Sequence, residues 1–132
     1  MTAIGAVDIE VLLIGWLQEQ IGPDVVVRDE LDNDLADELP TVQVQRAAGD
    51  DDGLRLDRAL VDVDVYAATR GDAYTLAASI RGLLLTNLRG STTSTAVVGL
   101  VRTLSAPAAR PYENVGLRRV GATYEIYSHP VS

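Results

Sequence analysis

The stretch Leu60-Val61-Asp62-Val63-Asp64-Val65-Tyr66-Ala67, which runs through Ala68-Thr69-Arg70 into Gly71-Asp72-Ala73-Tyr74-Thr75-Leu76-Ala77-Ala78-Ser79-Ile80, decides the fold class. In its first half the apolar residues recur at every second position. Val61, Val63 and Val65 point one way, and Asp62, Asp64 and Tyr66 the other. Successive side chains leave a strand on opposite faces, so this pattern predicts an antiparallel strand with one buried and one wet face. In the second half the period lengthens. Ala73, Leu76, Ala77, Ile80, Leu83, Leu84 and Leu88 follow three-and-four spacing. That spacing predicts an amphipathic helix between Gly71 and Leu88, capped by Asp72 at its start and Gly90 at its end.

Upstream, Val7 to Ile21 reads as a first helix. Asp8 serves as its N-cap, Ile9, Leu12, Leu13, Trp16 and Leu17 form its apolar face, and Gly22-Pro23 supplies the stop. Val25, Val26 and Val27 begin a strand, and Asp29 to Leu39 is acidic and irregular. Thr41 to Arg46 alternates, with Val42 and Val44 opposed to Gln43 and Gln45. By composition, Gly49-Asp50-Asp51-Asp52-Gly53 is a turn or mobile hairpin tip. Downstream, Ser91 to Thr95 is a polar loop and Val97 to Leu104 a strand. Ala106 to Asn114, with Pro107 and Pro111, is an extended connection, and Val115 to Tyr127 is a closing strand. The order α-β-β-β-α-β-β predicts an α+β fold: a mainly antiparallel sheet with two amphipathic helices packed on one face. A chain of 132 residues fits one domain over its whole length, and no internal repeat or second core is evident.

Composition closes much of enzymology by subtraction. The chain has no cysteine, which removes disulfides, thiolate metal sites and thiol nucleophiles. All eleven basic residues are arginine, so Schiff-base chemistry and the phosphate-binding lysine of a P-loop are absent too. The one histidine, His129, cannot build a multi-histidine metal site, and no nucleophile-elbow motif accompanies it. No catalytic, cofactor-binding or metal site is therefore expected. A net charge of −8 argues against a dedicated nucleic-acid binder, because such binding is driven by cations displacing counterions from phosphates. The start of the chain lacks the basic segment of a secretory signal. The longest apolar run, Val11 to Leu17, is far too short to cross a bilayer, so a soluble protein made in a cytoplasm is expected.

Two surface constellations remain. Asp50, Asp51 and Asp52, joined by Asp57, Asp62 and Asp64 if the hairpin folds back, would suit a hard cation. They fit a solvated turn and the wet face of a strand better, since acidic residues on soluble domains are normally exposed. Arg110, Arg118 and Arg119 cluster near Tyr112. Such a cluster makes salt bridges on a sheet surface or forms an interface, where arginine and tyrosine are enriched.

Four stretches taken together resemble the minor tail and tail-terminator proteins of actinobacterial siphophages. They are the first helix ending in Gly22-Pro23; Leu39-Pro40-Thr41-Val42-Gln43-Val44-Gln45-Arg46; Val61 to Ala67 leading through Thr69-Arg70 into the second helix; and Pro111-Tyr112-Glu113-Asn114 followed by Leu117 to Ile126. The resemblance implies a ring, expected to be a homohexamer, at the head-proximal end of the tail. That ring would end tube polymerisation and join the tail to the head connector after assembly in the host cytoplasm. Its partners would be further copies of itself, the tail tube protein and the connector, with no membrane and no cofactor. DNA would pass through without specific binding, helped by lumen-facing acids drawn from Asp50, Asp51, Asp52, Asp62 and Asp64, because a negative wall repels it. Arg110, Tyr112, Arg118 and Arg119 would serve a subunit or partner interface. Three rivals stand beside this reading: a neck or head-completion connector, or other minor tail protein; a metal-dependent hydrolase or nuclease using the aspartates; and a cellular small-ligand binding domain, for which the chain, without phenylalanine, carries no pocket signature.

Overall fold

A computed structural model describes residues 7–114 and 116–131. Helix α1 (Ile9–Ile21) opens the chain, followed by β1 (Val26–Arg28), a single 3-10 turn (Leu35–Asp37), β2 (Thr41–Asp51) and β3 (Asp57–Ala67). Helix α2 (Arg70–Leu83) continues as one π turn (Leu84–Leu88), and β4 (Ala96–Arg110) and β5 (Arg118–Pro130) complete the fold. The strands form one five-stranded sheet in the order β1-β2-β3-β5-β4. It is antiparallel throughout except at the edge, where β1 lies parallel to β2. The architecture is the expected α+β fold.

Cross-strand register explains the core. Val42, Val65 and Val120 stand side by side across β2, β3 and β5, and Val44, Val63 and Ala122 form the next row. Val61 pairs with Tyr124 and Ala59 with Ile126 in the rows beyond. All ten side chains are buried, and they share one cluster with Ile9, Leu13 and Leu17 of α1 and with Ala73, Ala77, Ile80, Leu84 and Leu88 of the second helical segment. One sheet face and two helical stripes thus exclude water together, which is the main stabilising term of such a layered fold. Asp8 caps α1, its carboxylate accepting from the Val11 amide at 3.2 Å. Gln18 then ties α1 to the sheet edge. Its Nε2 donates to the carbonyls of Gly22 (2.8 Å) and Val25 (2.7 Å), while its Oε1 accepts from the Val27 amide.

Five expectations are corrected. Thr69, not Asp72, caps α2. Thr69 is extended, and its hydroxyl accepts from the Asp72 amide at 3.2 Å, so Asp72 lies inside the first turn. The Gly49–Gly53 run is not all turn. Gly49, Asp50 and Asp51 belong to β2 and pair with Ala59, Arg58 and Asp57, beyond a bulge at Ala47. Composition reads such a run as loop because it ignores partners. Here Arg58 reaches Asp50 across the strands at 3.4 Å, and Arg46 holds Asp57 through two hydrogen bonds of 2.8 and 2.9 Å. Gly49 is required at its position. Its φ is +140°, and a Cβ there would overlap the Arg58 carbonyl oxygen.

The remaining three concern β4, β5 and the wet face. Strand β4 does not stop near Leu104 but runs on to Arg110 through a register break between Ser105 and Ala108. An edge strand with a bulge tolerates Pro107, which has no N–H to give to a ladder. Strand β5 extends past Tyr127 to Pro130, and its expected first residue, Val115, lies outside the described residues. Finally, the sheet face away from the helices is not simply wet. A satellite cluster of Leu35, Tyr66 and Leu117, flanked by Leu31, Leu39 and Tyr112, covers one end of it. The acidic 29–39 segment folds its leucines over Tyr66, which is 2% exposed. Long loops commonly bury such satellites.

Candidate functional site

On the sheet face opposite the helices, β3, β5 and β4 each contribute polar residues to adjacent rows. Asp64 lies across from Gly121, while Tyr66 pairs with Arg119 and Arg119 with Arg110. Two arginines side by side on neighbouring strands repel each other. The Asp64 carboxylate resolves the conflict: Oδ1 accepts from Arg110 at 3.1 Å and Oδ2 from Arg119 at 3.0 Å. Gly121 makes room for this triad, since a Cβ built there would overlap Asp64 Oδ1 and stand 2.7 Å from Arg110 Cδ. Asp62 accepts from Thr123 at 2.6 Å, and Arg110 also approaches Thr123 at 3.3 Å, which extends the network one row along the sheet. The hydrogen bond that Arg119 donates to Asp64 raises the Arg119 pKa, so this guanidinium stays charged at any working pH. Arg119 also lies over the Tyr66 ring at 5.9 Å, and Tyr66 meets Tyr112 edge-on at 5.1 Å. Burial, opposed by Arg119, pushes the Tyr66 phenol up to about 12, and its hydroxyl donates to Gln43.

Beside this triad, at the end of the sheet where β3 and β4 stop, the chain opens a cleft of about 370 Å³. Arg70, Arg110, Arg118 and Arg119 line it together with Ala109, Tyr112 and Leu117. The structure therefore gathers all four residues of the sequence-derived arginine–tyrosine cluster around one depression, and adds Arg70 from the start of α2. Nothing local in the sequence places Arg70 here. Its sequence position next to the helix cap gave no sign that the helix begins beside the end of β4, although its ring contact with Tyr74 (5.6 Å) is local. Such a cleft offers planar cationic donors over a partly apolar floor, a combination suited to carboxylates attached to an apolar segment.

The aspartates do not assemble. Asp62 and Asp64 serve the arginine network, Asp57 faces the helix side and pairs with Arg46, and Asp50 pairs with Arg58. Asp51 and Asp52 lie exposed at the hairpin tip, where their Oδ1 atoms accept the turn amides: Gly53 to Asp51, and Leu54, Arg55 and Leu56 to Asp52. These backbone bonds, that from Leu54 foremost, hold the Asp52 pKa below its ordinary value. Among the described residues no group of three or more acidic or histidine side chains converges to hold a metal ion. His129 sits half-buried on β5, its Nδ1 2.9 Å from the Pro130 carbonyl. A second acidic anchor, Glu125, is 3% exposed; Arg58 donates to it at 2.7 Å, and Arg102 lies 3.0 Å away but is poorly aligned for a hydrogen bond. Among the described residues no helix is long and apolar enough to cross a membrane.

No curated protein matches the chain. The family described as phage tail termination protein matches it over residues 5–126, nearly the whole length.

Proposed function

The chain belongs to the phage tail termination protein family, whose members are structural virion proteins of the tail, and from that premise we propose that it closes the head-proximal end of a phage tail as a ring. The ring is a homohexamer that stops addition of tube protein and presents a surface to the head connector, in a long-tailed phage of an actinobacterial host. Assembly takes place in the host cytoplasm. The observation that carries this reading is the match across residues 5–126, which takes in the helices, the sheet and the arginine cleft together.

The chemistry of the surface is consistent with that role. Arg110, Tyr112, Arg118 and Arg119 combine planar hydrogen bonding with apolar bulk, as subunit contacts do. The net charge of −8 keeps passing DNA from adhering, since polyanions are repelled by an acidic wall. We assign no channel-facing charge to Asp64, which is 2% exposed and shared between two guanidinium groups.

Deletion of the gene tests the role. Overlong tubes in the deletion strain, restored to normal length by the protein in trans, are the expected result. Tails of normal length that fail to join heads would move the protein to the neck, and normal virions would overturn the proposal.

A further inference from the structure

The two ends of the sheet differ in exposed chemistry, although the tip also carries Arg55, whose guanidinium donates to the Pro130 carbonyl at 2.5 Å. Strand β3 leaves the β2–β3 tip at Asp57 and ends at Ala67, which is paired with Arg118 of β5. The last residue of β4, Arg110, pairs with Arg119 at that same end. Ten steps of strand therefore separate the tip from the cleft, roughly 33 Å at about 3.3 Å per residue. Four of the eleven arginines line the cleft at one end. At the other end stand the exposed Asp51 and Asp52, and with them Leu54 and Leu56. Leu54 is the most exposed large apolar residue among those described, at 72%, and Leu56 is 39% exposed.

We infer that the tip of the β2–β3 hairpin docks into the arginine cleft of a neighbouring copy of this chain. The inference rests on the self-assembly proposed above and names its contact. Asp51 and Asp52 meet the guanidinium groups of Arg70 and Arg118, and Leu54 covers the floor made by Ala109, Tyr112 and Leu117. Charge and apolar surface match together, which neither feature would achieve alone. Within one chain the sheet holds the two surfaces apart, so the pairing is intermolecular. The tip is preorganised for this. Asp52 accepts three backbone amides of its own turn, so little loop ordering remains to oppose association. On the other side the Asp64 bridge fixes Arg110 and Arg119 in the wall of the cleft, and Arg118 donates to the Leu117 carbonyl at 3.2 Å.

A contact that joins one patch to a different patch is heterologous. It propagates head to tail and closes into a ring when the rotation permits, whereas a self-complementary patch stops at a dimer. The proposed contact is thus of the kind a cyclic assembly needs. It also places Asp51 and Asp52 against a neighbouring subunit rather than the channel.

The chain contains no cysteine, so introduced thiols report without background. Leu54→Cys and Ala109→Cys both alter exposed positions. They are purified separately, mixed at ring-forming concentration and on tail tubes, and oxidised mildly. The expected product is a disulfide-linked dimer containing one chain of each variant, formed in the mixture and in neither variant alone. Charge reversal gives a second readout. Asp51→Arg and Arg118→Glu should each weaken self-association by about 10- to 100-fold through like-charge contact, and the double variant should recover it. Unchanged circular dichroism confirms that each variant is folded. Rings that form without the mixed cross-link would overturn the contact and leave the ring proposal standing. Cross-linking of Leu54→Cys to itself, or failure of the double variant to recover, would equally overturn it. Absence of both assembly and cross-links, even on tubes, would overturn both proposals.

Discussion

Asp64 joins three strands and two cations at a single carboxylate. It is 2% exposed and bridges Arg110 and Arg119, whose side chains remain about one quarter exposed. Substitution by Asn keeps the volume but removes the charge that reconciles two adjacent guanidinium groups. Breaking a fully buried ion pair costs about 3–5 kcal/mol, and here the arginines can still turn toward water. A smaller loss of about 2 kcal/mol is therefore expected for Asp64→Asn, measured by urea denaturation with the fluorescence of Trp16, the only tryptophan. A loss near zero would mean the triad contributes nothing to stability. Two tyrosines set the alkaline limit. Burial raises both Tyr66 and Tyr124 to about 12 from the ordinary 10.0, so the folded protein keeps protons that the unfolded chain releases. Stability that is complete below pH 10 must fall as pH rises toward 12. Tyr66→Phe and Tyr124→Phe should each flatten that decline in thermal melts, and an unaltered slope would count against the assignment. At this scale the sequence showed which residues were chemically notable but not their company. In sequence, Asp62 and Asp64 are wet-face acids and Arg110 and Arg119 a separate cluster, because only strand register makes them neighbours.

Element boundaries were legible wherever a local signal suffices. Asp8 before the apolar run, Gly22-Pro23 after it and the valine alternation of β3 depend on contacts within a few residues, and all three appear where expected. The start of α2 shows the limit of local reading. Thr69 and Asp72 have the spacing of a threonine cap followed by an acidic third residue, a pattern that suits either as the capping residue until backbone angles are known. Thr69→Ala should therefore destabilise the protein by about 1 kcal/mol, whereas Asp72→Ala should lose only about 0.3–1 kcal/mol of helix-dipole interaction. Chemical denaturation of both variants checks the order, and a larger loss at Asp72 would reverse the assignment. The full length of the longer strands is hidden from local reading for another reason. The outer halves of β2 and β4 contain Gly, Asp, Ala and Pro, residues with poor strand preference. Pairing with Asp57–Leu60 in one case and with β5 in the other overrides that preference, and cross-strand arginines reinforce the hairpin.

For the whole molecule the governing feature is how unevenly the charge is spread. A net charge of −8 makes copies repel on average, yet the arginine cleft and the acidic tip sit at opposite ends of one sheet. Self-association through those ends must overcome the mean repulsion by short-range attraction, so it should weaken when salt screens the contact. Sedimentation at about 0.05 and about 0.5 M salt, where the screening length drops from beyond 10 Å to a few ångströms, checks this. Assembly that strengthens with salt would point instead to contacts dominated by apolar surface. By itself the sequence determined the fold class, the order of elements and the lack of cysteine, lysine and clustered histidine, because periodicity and composition are properties of the chain read in order. Only the tertiary structure decided that Arg70 joins Arg110, Tyr112, Arg118 and Arg119 around one cleft, that Asp64 lies buried beside it, and that the tip with Asp51 and Asp52 stands at the far end. Those relations depend on which strands lie side by side and in what register. Such pairing is set by burial of the whole apolar face at once rather than by any local run of residues.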